Sequence, residues 1–445
     1  MAESIRHNYI LILHTTLYRT GGVRFKRVAE TMAREKALEF PAHALVSKAV
    51  ESKQAFLDAI ERVKLANGRI SELHFIGHSG VYGIMFGTTK WPEQFSPHEW
   101  RELRAAQLPF ATDAHLYFHA CRSARWFAPF IARTLGVATS GNYWYTTFSR
   151  SPRVFKWESG SAESSRSLYV MSCPGKKSHG AFASLIKYAG FTRAIPMLQF
   201  SPSDEKVDTS YDSVASLYDD TFDDIAVRKD EWAWLTRSLG NAEQKRVLDI
   251  GCGNGAFLQK LSPRILEGVG VDISNGMLEQ ARKRCAAQKH LLFAKLDGPQ
   301  LPFADNSFDV VMSVLSFRYL DWDPILQEIL RVMKPGGQFL VIDMVAAPVK
   351  MREIPFFVKA KFEVIWQRIF QKRYWRALRT MVTDQRWKTM LKYNPMRSEH
   401  EMKWYLESRF SGNKVDVINV GWNSRVIAFG TGPVHLKEVE KLAYP

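Results

Sequence analysis

The stretch Val247-Leu248-Asp249-Ile250-Gly251-Cys252-Gly253-Asn254-Gly255 constrains this chain more than any other. An apolar run carrying one acid leads into three glycines at alternate positions, and Ala256-Phe257-Leu258 then opens a helical pattern. Such a pattern predicts a buried strand, a tight turn and a helix start. Glycines allow the turn its positive φ and leave room for a ligand against the main chain. The N–H groups of the following helix start then face that ligand.

The spacing is Gly-x-Gly-x-Gly, not the Gly-x-Gly-x-x-Gly of dinucleotide folds. Downstream, Gly268-Val269-Gly270-Val271-Asp272-Ile273-Ser274 reads as a second strand ending in an acid, which suits a ribose diol. Leu296-Asp297 forms a third ligand loop, and Phe308-Asp309-Val310-Val311 opens a fourth strand. Glu328 to Gly337 predicts a helix closed by a Pro-Gly turn before a strand from Gln338 to Val345. On these ordered motifs, the stretch from about Tyr211 to Pro433 resembles the class I S-adenosylmethionine-dependent methyltransferases.

That resemblance implies an α/β fold with a Rossmann-like, seven-stranded sheet, and S-adenosyl-L-methionine as cofactor. It further implies that Asp249, Gly251, Gly253 and Gly255 cradle the methionyl and adenosyl parts. Asp272 would bind the ribose, Ile273 would lie against the adenine, and Leu296 and Asp297 would meet its amino edge. Ser313 and Val314 would border the transfer site. Tyr211 and Tyr218 would stand on a helix over the cofactor. Arg318 and Tyr319 occupy positions where relatives often carry histidines, which leaves His400 and Asp384 as weak candidates for a base. No metal is implied.

The chain of 445 residues has room for two or three domains. Its formal charge of +16 is unevenly spread: residues 1–200 carry +12, 201–349 carry −6 and 350–409 carry +9. Solvated surface is the plain reading of this asymmetry, with nucleic acid, anionic membrane or acidic substrates as the others. The four cysteines form no Cys-x-x-Cys pair, so neither zinc nor a disulfide framework is expected. No apolar run reaches the roughly 20 residues of a spanning helix, and the first apolar run reads as a strand rather than a signal peptide. A cytoplasmic setting is the expectation.

The amino-terminal half alternates strands with helices, which predicts a second, mostly parallel sheet. Strands are expected at Tyr9–Leu13, Leu73–Ile76 and His115–Ala120, and helices at Phe25–Lys36, Ala55–Leu65, Trp100–Ala106 and Trp126–Leu135. His78 and Cys121 each follow such a strand. Loops at strand carboxyl ends are where open α/β sheets place ligands, and an imidazole can activate a thiol. The segments His74-Phe75-Ile76-Gly77-His78-Ser79-Gly80 and His119-Ala120-Cys121-Arg122-Ser123-Ala124 resemble the caspase-like cysteine peptidases, with His78 as base and Cys121 as nucleophile. The family's usual His-Gly is interrupted here by Ser79. His74 and His119, in mid-strand, are expected to be structural. A strand is expected at Ser167–Met171 and a helix at Ala181–Tyr188.

The expected organisation is thus a caspase-like α/β sandwich over residues 1–200, a linker at 201–210, and a methyltransferase domain over 211–445. A basic, aromatic substrate lid would occupy 348–409, with one helix from Phe356 to Met381 and with Trp366 and Tyr374 facing the acceptor. Basic residues interleaved with aromatics suit RNA, a membrane surface or a small-molecule pocket. No recognised nucleic-acid motif accompanies them, so a small-molecule acceptor leads and nucleic acid is not expected. The leading function is methyl transfer with a caspase-like accessory domain. The alternatives are a cysteine peptidase or an enzyme that both cleaves and methylates peptides, and a binding protein that senses S-adenosylmethionine.

Overall fold

The computed structural model describes residues 7–19, 21–88, 90–105, 107–156, 166–173, 193–203, 209–223, 225–347, 351–421 and 424–432. The chain divides into two compact units, Met1–Lys206 and Val207–Pro445. The division falls inside the segment expected as linker, of which 204–208 lie outside the described residues, as does the helix expected at 181–188.

In the first unit the strands are β1 Asn8–His14, β2 Ala44–Ala49, β3 Arg69–Ile76, β4 Ser79–Gly80, β5 Gly83–Gly87, β6 Pro92–Gln94, β7 Phe110–His119, β8 Ala138–Gly141, β9 Tyr145–Ser149, β10 Tyr169–Cys173 and β11 Leu198–Phe200. Six of them form one sheet in the order β11-β8-β7-β3-β1-β2. All pairings in it are parallel except the edge pair β8–β11. The apolar run of β1 shows why both faces must be covered. Ile10 and Ile12 pack with Phe25, Val28 and Ala29 of helix Gly22–Glu39. Leu11 and Leu13 pack on the opposite face with Phe56 and Ile60 of helix Lys53–Leu65 and with Phe127 and Ile131 of helix Phe127–Leu135. Successive strand residues point to opposite faces, so an uninterrupted apolar strand needs helices on both. The excursion between β3 and β7 folds as the small sheet β4-β5-β6.

In the second unit the strands are β12 Arg246–Ile250, β13 Glu267–Asp272, β14 Leu291–Lys295, β15 Phe308–Val314, β16 Met333–Ala346, β17 Asp416–Val420 and β18 Ser424–Gly430. They form a seven-stranded sheet in the order β14-β13-β12-β15-β16-β18-β17. The first five are parallel, and β18 runs antiparallel to both β16 and β17. Leu248 and Ile250 meet Ile325, Ile329, Met402 and Leu406 on one face, while Val247 meets Trp234, Leu235 and Leu258 on the other. The chain progresses outward from β12 in one direction and from β15 in the other. That reversal is the topological switch point at which such sheets bind ligands, beyond the strand carboxyl ends.

Two expectations are corrected in detail. The helix before β16 stops at Val332, and β16 begins at Met333, ahead of the Pro335-Gly336 step. The single helix expected from Phe356 to Met381 is two, Ile354–Phe370 and Lys372–Thr383, broken at Gln371 with φ −112 and ψ 55. Neither proline nor glycine occurs at that break to mark it in the sequence.

Candidate cofactor and acceptor site

The turn after β12 is built as its glycines require. Gly251, Gly253 and Gly255 all have positive φ, at 75, 53 and 72 degrees. A Cβ on Gly251 would stand 2.4 Å from the Ser316 side chain, so this position is closed to any other residue. A Cβ on Gly253 would meet nothing within 4 Å, which leaves main chain open to a ligand. The turn is fastened from both neighbouring strands. Gly251 N–H donates to the Val271 carbonyl at 2.7 Å, and Ser316 Oγ donates to the Ile250 carbonyl at 2.7 Å.

Two buried acids face this turn. Asp272 accepts from Gly253 N–H and from Ser274 N–H, each at 2.9 Å and on different oxygens. A carboxylate has about four lone-pair sites, so hydroxyl donors can still be accepted. Asp249 is buried, and its Oδ1 has no hydrogen-bond partner among the described residues. Burial, reinforced by the Asp272 charge, pushes the Asp249 carboxyl up to about 8. A buried polar atom without a partner is costly, and a cationic group placed here would answer it. The residues therefore fit S-adenosylmethionine. Its hydroxyls suit Asp272, its ammonium suits Asp249, and Gly253 gives it access to the main chain.

This acid gives a pH prediction with a definite sign. An unfolded aspartate titrates near 3.9, so between about pH 4 and 8 the folded, ligand-free protein holds a proton that the unfolded chain has lost. Stability from this group is greatest at the acid end and falls as pH rises through that window. Asp249→Asn should flatten this component of a series of thermal melts, and an unchanged slope would assign the pH dependence elsewhere.

The remaining expected cofactor residues are placed as follows. Ile273 lies exposed at the end of β13, Leu296 is buried with its N–H on the Asp272 carbonyl, and Asp297 is exposed beside it. Val314 is buried at the end of β15. Ser313 is wholly buried and its hydroxyl is taken up by the Ile250 carbonyl and Ser316, so it supports the glycine turn from behind.

The segment from Tyr211 to Thr221 is pinned over this turn by contacts that its own sequence does not announce. Asp212 accepts from Ser274 Oγ at 2.6 Å and Gly276 N–H at 2.8 Å. Asp219 accepts from Asn254 of the glycine turn at 2.8 Å and from Arg284 at 2.7 Å. Tyr211 and Tyr218 therefore share an enclosure. Their rings lie 5.9 Å apart, and Trp387 stands 6.0 Å from Tyr211 and 6.5 Å from Tyr218. Tyr211 Oη and Tyr319 Oη lie 3.1 Å apart, and Arg318 donates to Tyr319 Oη at 2.8 Å. Arg318 is itself paired with wholly buried Asp343, which also accepts the Arg318 N–H at 2.6 Å.

Of the residues expected in a lid, Tyr374 packs toward Phe222, with ring centroids 6.3 Å apart, beside the pinned segment. Trp366, expected to face the acceptor, is half exposed on helix Ile354–Phe370, against Phe370 and Lys229, and makes no ring contact with the tyrosine cluster among the described residues. Trp387 stands beside the tyrosines instead, one of many aromatics in that basic segment with nothing local to single it out. Asp384 is no free base, since it caps helix Gln385–Tyr393 and pairs with Arg386. His400 is exposed on helix Glu399–Arg409.

In the first unit, β3 and β7 are adjacent and parallel with Ile76 paired to His119, so residues 78 and 121 each lie two beyond the last pair. Ser79 Oγ donates to the Cys121 carbonyl, tying the two loops together. Cys121 is half-buried, with its sulfur 3.2 Å from Thr146 Oγ1, whereas Cys173, Cys252 and Cys285 are buried. The His78 ring packs edge-on against Phe25 and Tyr18. Trp126 is turned into the core against Tyr82 and Phe130. His74 and His119 contact one another at 3.1 Å, and His74 also bonds Glu72, so both belong to the sheet as expected.

Residues 248–341 match the family model described as a methyltransferase domain. A demethylmenaquinone methyltransferase from Clavibacter sepedonicus is 33% identical over 161 residues, which cover 35% of this chain and 65% of that protein. A ubiquinone/menaquinone biosynthesis C-methyltransferase, UbiE, from Desulfotalea psychrophila is 33% identical over 160 residues, covering 34% of this chain and 62% of that one. The chain thus spans under two thirds of the length of these curated relatives. A crystal structure of a SAM-dependent methyltransferase from Aquifex aeolicus aligns with 20% identity over 51% of this chain and 99% of that chain, at a TM-score of 0.33. Residues 248–341 are thus similar to a methyltransferase domain, and the cofactor this similarity supports is S-adenosylmethionine.

Proposed function

We propose that the protein transfers the methyl group of S-adenosylmethionine to a small, flat, apolar acceptor bound among Tyr211, Tyr218, Tyr319 and Trp387. The observation that carries this reading is the aromatic enclosure itself. It is pinned by Asp212 and Asp219 to the same loops that carry Asp272 and the glycine turn. Bound sulfonium supplies an electrophilic methyl group, and the protein's task is to align the acceptor with it and exclude water. Aromatic walls suit an aromatic ring in offset or edge-on contact. Because Arg318 donates to Tyr319 Oη, the phenolic hydrogen of Tyr319 is directed elsewhere, to Tyr211 or to an oxygen of the acceptor. The names of the relatives point the same way, since a reduced quinone is an electron-rich ring whose carbon can accept a methyl group.

The test uses S-adenosylmethionine with a labelled methyl group and reduced demethylmenaquinone as acceptor. Label in the ring product is the expected result. Label appearing only in peptide or RNA added in parallel would overturn the acceptor class. Trp387→Ala should raise the acceptor KM up to about tenfold while the cofactor Kd stays within about twofold, since an aromatic contact is worth roughly 0.5–1.5 kcal/mol.

For the first unit we propose a caspase-like accessory domain. The sheet order, and the equivalent positions of residues 78 and 121 beyond β3 and β7, support it. A thiol-directed probe should label Cys121 and be blocked by Cys121→Ser. Absence of labelling would remove Cys121 as a nucleophile.

A further inference from the structure

Helix Ile354–Phe370 turns apolar side chains outward. Ile354, Val358, Phe362, Ile365 and Ile369 are 43, 45, 67, 53 and 55% exposed. Their spacing of four, four, three and four places them in one stripe along the helix, and Trp366 and Phe370, 50 and 66% exposed, widen it. Large contiguous apolar surface of this kind marks an interaction site. One residue further on, helix Lys372–Thr383 presents Lys372, Arg376 and Arg379 to solvent at spacings of four and three, again on one face. Arg373, beside them, is 89% exposed.

We propose that this pair of helices docks on an anionic lipid surface, the apolar stripe entering the acyl boundary and the basic face meeting headgroups. Three observations favour that occupant. No helix among the described residues is long and apolar enough to cross a membrane, so the stripe can lie in an interface but not span it. The segment 350–409 carries 15 basic and 6 acidic residues, a charge that opposes pairing with a second copy through the same face and attracts anionic lipid. Isoleucine, valine and phenylalanine in an unbroken stripe offer nucleic acid neither hydrogen bonds nor a phosphate track. The inference extends the proposed function without depending on it, because binding is measured with no acceptor present.

The experiment is flotation of the full chain with vesicles of phosphatidylcholine alone and with 30% phosphatidylglycerol. Binding to the anionic vesicles, weakened by raised salt, is expected. Phe362→Glu with Ile365→Glu should reduce it at least tenfold, and Arg376→Glu with Arg379→Glu should reduce it on anionic vesicles specifically. Circular dichroism and cofactor affinity, unchanged in both variants, establish that they fold. No flotation of the parent protein, or equal flotation of folded variants, would overturn the proposal. So would concentration-dependent dimerisation abolished by Phe362→Glu, which would give the stripe to a second copy. Methyl transfer to a soluble acceptor should survive in both variants, so failure here is distinct from failure of the proposed activity.

Discussion

Asp272→Ala is expected to weaken S-adenosylmethionine binding by about 1–3 kcal/mol, roughly 5- to 150-fold, through loss of charge-assisted hydrogen bonds to a diol. The structure adds a second reason. Asp272 holds Gly253 N–H and Ser274 N–H together, and Ser274 caps helix Asn275–Arg284 through its hydroxyl on Met277 N–H. Removing the carboxylate thus frees the glycine turn and disturbs the seat of Asp212. Asp272→Asn separates the two contributions. An amide presents one acceptor oxygen and keeps part of the loop anchoring, but it loses the charge and turns a donor toward the other contact. Calorimetry should rank affinity as parent, then Asn, then Ala. Binding by the alanine variant equal to the parent would remove Asp272 from the cofactor site.

Asp343→Ala should produce the largest loss of stability of any single change considered, about 3–5 kcal/mol. The carboxylate is wholly buried at the site end of β16 and is the ionic partner of Arg318, itself 9% exposed. Truncation leaves a buried guanidinium uncompensated, and breaking one side of a buried pair is far costlier than replacing both. It also releases the Arg318 and Met344 N–H groups that the carboxylate accepts. Arg318→Met in the same chain should restore part of the loss, so the double variant should lie well above the sum of the singles. Urea unfolding checks this. A change under about 1 kcal/mol for Asp343→Ala would mean that Arg318 is supported by its other neighbours, the Arg397 contact to its carbonyl and the Tyr319 hydroxyl. Because Arg318 positions Tyr319, methyl transfer should fall in the double variant even where stability is recovered.

The parts of this protein legible in its sequence are those in which strand, turn and buried acid are neighbours along the chain. The glycine turn after β12, the acid ending β13 and the closing antiparallel pair β17–β18 each carry their structural reason within a few residues. A buried strand needs an apolar run, a left-handed turn needs glycine, and an acid beside the turn has a site to serve. The alternation of such runs with helical periods likewise determines two mostly parallel sheets. Strand order across a sheet, by contrast, sets which distant residues meet. Tyr211 reaches Tyr319 across 108 positions, Asp212 reaches Ser274 across 62, and Arg318 reaches Asp343 across 25. None of these pairs has a local pattern that could announce it. The choice of Trp387 over Trp366 for the enclosure has the same origin. Both are tryptophans in basic helical segments, but they lie on different helices, Ile354–Phe370 and Gln385–Tyr393, separated by breaks at Gln371 and Asp384, and only the latter helix brings its tryptophan against the tyrosines. Neither proline nor glycine marks either break, so only tertiary packing, that of Lys372–Thr383 against Ala215–Thr221 and of Trp387 against Tyr211 and Tyr218, separates the tryptophan beside the tyrosines from the one in the exposed stripe.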